Sequence, residues 1–121
     1  MKLLKLPLSS FFVLSMLASC SPSENDTLIL GRWKGVEWTV EGNPADYDPK
    51  EVHFSFSKEG YSSDFGGEKE KGTYYLREND LYTTPDNQME IMVQIARLTK
   101  DTLKFNMNRG GQSETLTLVR E

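Results

Sequence analysis

The sequence predicts an all-β chain: an up-and-down antiparallel meander of about eight strands that closes into a small barrel. Three observations lead there. From Leu28 onward, apolar and polar side chains alternate with a period of two almost everywhere. Turn-forming residues recur about every 8–12 positions. Nearly every connection is a short turn between successive strands, so the last strand can pair with the first and leave no open edge. A two-layer β-sandwich is the alternative. It needs long crossover connections, and only Glu41–Lys50 is long enough to be one.

The first strand covers about Ile29–Val40, with Val36, Trp38 and Val40 on one face. Trp33 has the opposite parity, which predicts a bulge or bend near Gly35. The next strand, Glu51–Ser57, points Val52, Phe54 and Phe56 inward and His53 outward. Lys58-Glu59-Gly60 turns the chain into a strand carrying Tyr61, Ser63 and Phe65 on one face, and Gly66-Gly67 turns it again. Lys69–Arg77 follows, with Gly72, Tyr74 and Leu76 inward, then a short strand at Leu81–Thr84 after Asn79-Asp80. Beyond Pro85-Asp86-Asn87, Met89–Leu98 carries Met89, Ile91, Val93 and Ile95 on one face. The last two strands put Leu103, Phe105 and Met107, and then Leu116 and Leu118, inside, joined at Arg109-Gly110-Gly111. No window sustains the 3.6-residue period of an amphipathic helix.

The chain is uneven. Residues 1–19 hold 12 of its 45 apolar side chains, with Lys2 and Lys5 and no acid. The remainder carries 12 basic and 18 acidic residues. That acidic balance argues against a nucleic-acid partner, which needs an excess of Lys and Arg. A single Cys excludes a disulfide scaffold. Two lysines, an apolar run and then small residues make the three-part plan of a secretory signal. The run Leu6–Leu17 spans only about 18 Å as a helix, short of a bilayer core.

Leu17-Ala18-Ser19-Cys20 resembles the lipobox of bacterial lipoproteins. The resemblance implies cleavage between Ser19 and Cys20, acylation of Cys20 by palmitate-class chains, and firm membrane attachment. It divides the chain into a cleaved signal peptide (1–19), a lipidated tether (20–27) and a folded domain (28–121). Ser21, as a residue other than Asp after the Cys, implies the outer membrane of a Gram-negative cell, on either its periplasmic or its surface face. Ser21–Thr27 has no apolar residue and reads as a solvated tether.

Gly31-Arg32-Trp33 resembles the Gly-x-Trp motif that opens the barrel of lipocalins, and Glu41–Lys50 stands where lipocalins place the loop over the mouth. The family resemblance covers residues 28–121 and implies that Arg120, near the end of the last strand, stacks on Trp33. It also implies a small apolar or amphipathic ligand in the mouth, with Tyr47 as a lid and Trp38, Tyr61 and Tyr74 nearby. The domain is lean in apolar residues, however. Phe54, Phe56, Tyr61, Phe65, Tyr74, Met89, Leu103, Phe105 and Met107 are therefore expected to fill the barrel rather than line a pocket.

Catalytic chemistry is not expected. His53 is the single His, so no His cluster for a metal can form, and no nucleophile stands beside a base. Asp46 with Asp48, and Glu68 with Glu70, read as solvated loop and turn charges rather than cation sites, so no metal or cofactor is expected. Asp26-Thr27-Leu28 and Asp101-Thr102-Leu103 resemble short bacterial O-glycosylation signals at Thr27 and Thr102. The alternative to ligand binding is a monomeric protein-interaction or inhibitor module with a filled barrel, using Tyr75, Tyr82 and Met92 on the less buried parity as its patch.

Overall fold

The computed structural model describes residues 24–121. The segment read as a signal peptide, with Ser19 and Cys20, lies outside the described residues. A five-residue helix α1 (Glu24–Leu28) leads into nine strands: β1 (Gly31–Val40), β2 (Asn43–Pro44), β3 (Val52–Phe56), β4 (Tyr61–Phe65), β5 (Glu68–Arg77), β6 (Asp80–Pro85), β7 (Ile91–Leu98), β8 (Thr102–Arg109) and β9 (Gln112–Arg120). Each strand from β3 to β9 pairs antiparallel with the next, and β9 returns to β1 from Trp33↔Arg120 to Val40↔Glu114. The result is a closed eight-stranded antiparallel barrel with β2 as an extra strand on β1. The meander and its closure agree with the sequence reading, and the sandwich is excluded.

Four local expectations are corrected. The β1–β9 register shifts between Gly35 and Glu37, so the bulge stands where Gly35 marks it. Val36 is the extra residue and lies 46% exposed instead of joining Trp38 inside. Gly35 is needed there because a Cβ would lie 2.2 Å from the Pro49 carbonyl oxygen, on the 3-10 turn Pro49–Glu51 that precedes β3. Met89 is 84% exposed, because β7 starts only at Ile91 and Met89 belongs to the preceding loop. A Pro44 carried on β1 turns part of the long loop into β2. The end of the segment read as a tether is α1, which closes through the bond from Ile29 N–H to Asn25 C=O.

The core is concentrated at one end. The start of β1, the ends of β3, β5, β7 and β9 and the starts of β6 and β8 all meet there. Ile29, Trp33, Phe56, Leu81, Ile95, Leu103 and Leu118 are buried in one cluster, with Tyr74, Leu76 and Leu98 packed on it. Trp33 is fully buried, donates from Nε1 to Ile29 C=O at 2.9 Å, and lies under the Arg120 guanidinium at 4.0 Å. Arg120 also donates to the carbonyls of Leu28, Leu30 and Lys100. These bonds satisfy the carbonyls at the end of α1 with a charged donor. Gly31 is at φ +118°, and a Cβ there would meet the Arg120 guanidinium at 2.7 Å. Asn25 Nδ2 bonds the Glu78 carbonyl in the β5–β6 turn, so α1 lies across this end as a cap.

Candidate functional site

At the opposite end the inward positions mix large apolar side chains with polar and charged ones. On β5 the inward parity of Gly72, Tyr74 and Leu76 continues back through Glu70 and Glu68 towards the mouth. On β9 the parity of Leu116 and Leu118 continues to Glu114. These three carboxylates cannot pack against one another like leucines. A cavity of about 1180 Å³ occupies this half of the barrel. Its apolar wall includes Phe54, Phe65, Val93, Phe105, Met107 and Leu116, and its polar wall Tyr61, Ser63, Glu70, Thr83 and Arg109. Tyr61 and Phe105 belong to the buried core and Phe54, Phe65 and Met107 pack against it, as the lean composition leads one to expect, yet all five also line the cavity, so the barrel is not filled at this end.

A second recess of about 800 Å³ under the long loop shares Ser63, Phe65, Glu70 and Arg109 with the first. Trp38 and Tyr47 line it and stack with ring centroids 5.1 Å apart and planes at 22°. Trp38 is anchored by its Nε1–H donating to Glu114 Oε1 at 3.0 Å and by an edge-on contact with Phe65 at 5.8 Å. Tyr47 is 67% exposed over it, in the place expected of a lid. The rim adds Ile91 at 49% exposure, and exposed Met89 lies in the loop just before it.

The four aromatic residues assigned to the mouth by sequence are not all brought together. Trp38 and Tyr47 meet there. Tyr61 sits deeper, buried in the wall, with its hydroxyl donating to Glu70 Oε2 at 2.6 Å. Tyr74 is at the capped end, donating to the Ser57 carbonyl at 2.9 Å and packing edge-on against Phe56 at 5.0 Å. The reason is strand direction: β5 runs from the mouth to the cap, and position 74 is past its middle.

Burial is the main cause that raises the Tyr61 pKa well above its ordinary value, and the hydrogen bond to Glu70 and that carboxylate's charge add to it. Tyr61 is therefore a neutral hydroxyl that donates to Glu70 at neutral pH. Arg109 Nε lies 3.7 Å from Glu114 Oε2, so the cation at the rim is matched by an acid. Glu68 and Glu70 are exposed, as expected of solvated charges, although their strand parity is inward and Glu70 reaches the cavity edge; Ser63, on the inward face of β4, is a lining residue that the sequence does not single out. Parity was the signal for all of these. Among the described residues, no group of three or more His, Cys, Asp or Glu could hold a metal ion. His53 is half-exposed on the outer face of β3, with Nδ1 2.8 Å from Glu121 Oε2.

The model of the lipocalin-like domain family matches residues 29–105. The chain belongs to the lipocalin-like family. No curated protein matches it. Among solved structures it is similar to a lipocalin-like protein from Bacteroides uniformis ATCC 8492, with a TM-score of 0.59 and 15% identity over 78% of this chain and 99% of the other. An uncharacterized protein from Bacteroides eggerthii DSM 20697 is similar at a TM-score of 0.59 and 14% identity, over 77% of this chain and 99% of the other. At that identity these two structures speak for the fold alone. A lipocalin-like barrel of this kind is a fold that can hold a small ligand.

Proposed function

We propose that the protein is a monomeric, lipid-anchored protein of the cell envelope that holds a small apolar or amphipathic molecule in the mouth half of its barrel. The cavity of about 1180 Å³ carries this reading. Its volume is somewhat above the usual range of small-molecule sites, and its walls combine aromatic and aliphatic side chains with convergent polar groups. Anchoring rests on the sequence: Leu17-Ala18-Ser19-Cys20 at the end of an apolar leader, with attachment through acyl chains on Cys20 to the outer membrane.

Native mass spectrometry of the protein purified from its host tests the binding. The expected result is a retained small molecule of a few hundred daltons, lost when Phe105→Asp puts a charge on the cavity wall. An empty chain that also fails to take up an apolar fluorophore overturns the reading.

One observation favours a further partner face. Tyr75, Tyr82 and Met92 are neighbours across β5, β6 and β7, with the two tyrosine rings stacked at 4.7 Å and the Arg77 guanidinium within 6.0 Å of both. Such a row suits a protein contact, and at Met92 it adjoins the cavity rim.

A further inference from the structure

The polar wall of the cavity is not evenly charged. Ser63 and Glu70 are direct partners across the β4–β5 ladder, and both point inward. Opposed residues of this kind hold their Cβ atoms about 4.5–5.5 Å apart. Tyr61, two residues before Ser63, donates to one oxygen of Glu70, which leaves the other oxygen to the cavity. Among the described residues Glu70 makes no ion pair: Lys69 turns outward to Asp64 at 3.2 Å, and Arg109 is engaged by Glu114.

Ser63 supplies the independent observation. It is only 6% exposed and lines the cavity, yet its hydroxyl has no hydrogen-bond partner among the described residues. Buried hydroxyls are almost always paired, so an orphan facing a cavity marks a place where something else donates or accepts. The adjoining recess adds Asp48, Glu51 and Glu68 to the same side, with Lys69 and Arg109 as its cations.

We infer that the cavity selects an amphipathic molecule with a protonated amine, whose ammonium group sits between Glu70 and Ser63 while its apolar body lies against Phe54, Phe105 and Val93. An ammonium brings three donors and no acceptor. One meets the free Glu70 oxygen and one the Ser63 hydroxyl, which solves both the unmatched charge and the orphan. A carboxylate head would face the Glu70 carboxylate at close range with like charge, which is repulsive even where Glu70 is exposed to water. A neutral alcohol would satisfy Ser63 and leave Glu70 without a counter-charge. The inference rests on the cavity-binding reading above and adds the chemical class of the head group.

Calorimetric titration of the full chain in phospholipid nanodiscs, with empty nanodiscs as the blank, tests it with hexylamine, hexanol and hexanoate at neutral pH. The expected order is hexylamine tightest, hexanol about tenfold weaker, and hexanoate weakest. Glu70→Gln should cut the hexylamine-to-hexanol affinity ratio to within about threefold, and Ser63→Ala should lower it by a smaller factor. If hexanoate binds as tightly as hexylamine, or if the ratio survives Glu70→Gln in a protein with unchanged thermal melting, the inference is overturned. If hexanol binds and hexylamine gains nothing over it, the head-group assignment alone fails. If none of the three binds the wild-type chain, the cavity-binding reading fails and this inference falls with it.

Discussion

Tyr61 links the stability of the wall to pH. Burial first, and then the Glu70 hydrogen bond and charge, raise its folded-state pKa above the ordinary 10.0. Above pH 10 the unfolded chain releases this proton before the folded one does. The folded state then holds more protons, and stability falls as pH rises. The contribution is therefore fully present below pH 10 and is lost on the alkaline side as the folded group titrates. Urea denaturation at a series of pH values between about 10 and 12 should show a steeper loss for wild type than for Tyr61→Phe. Equal slopes would mean that the Tyr61 hydroxyl is solvated rather than held against Glu70. Some slope remains in the variant, because burial and then the Asp26 charge raise the Tyr74 pKa in the same direction.

Among the elements, β1 does most to set the shape of the barrel. Its lower half pairs with β3 only from Gly31 to Lys34, whereas β9 follows it up to Val40. Past Lys34 the 3-10 turn at Pro49–Glu51 packs on the bare backbone of Gly35 in place of β3. Gly35→Ala puts a methyl group 2.2 Å from the Pro49 carbonyl oxygen, so either the turn or the bulge must move. A loss of about 1–3 kcal/mol in urea denaturation is expected, the range for overpacking. A loss below about 0.5 kcal/mol, typical of a surface position, would show that the turn does not rest on this glycine. Gly35 also shows how far the sequence was legible. Parity located the bulge, since Trp33 and Trp38 cannot share a face without one, but it could not say which residue would be extra. Val36 was lost for that reason. Glu70 is hard to read for another reason: it is charged and exposed, and only its parity points to the cavity. Whether an inward acid faces a packed core or an open cavity depends on what stands across the barrel, and one strand does not carry that information. β2 and α1 are short segments fixed by tertiary contacts, the first by β1 and the second by Glu78 and Arg120, so no local pattern announces them.

Over the whole molecule, the chain enters the barrel at the end away from the ligand cavity. Glu24 begins α1 on the capped end, where Asn25 bonds Glu78 and the guanidinium of Arg120 holds the carbonyl of Leu28. Cys20 precedes Glu24 by four residues, which span at most about 14 Å. The ten residues of β1 rise about 30 Å from cap to mouth. The proposed acyl anchor on Cys20 would therefore bring the cap to the bilayer and direct the mouth to the aqueous side. A protein held this way would take the proposed ligand from solution, and a molecule dissolved in the same bilayer would have to leave it to reach the cavity. Lys58 lies in an exposed turn at the capped end and Gln88 in an exposed loop at the mouth. Replacing each in turn with Cys and attaching a fluorophore gives two reporters on the full chain in vesicles that carry a headgroup quencher. The label at position 58 should be quenched strongly and that at position 88 little. Equal quenching would place the barrel on its side, and stronger quenching at position 88 would turn the mouth to the membrane. Cys20→Ala should release the protein from the vesicles and abolish quenching at both positions, which ties the orientation to the anchor rather than to a sticky barrel surface.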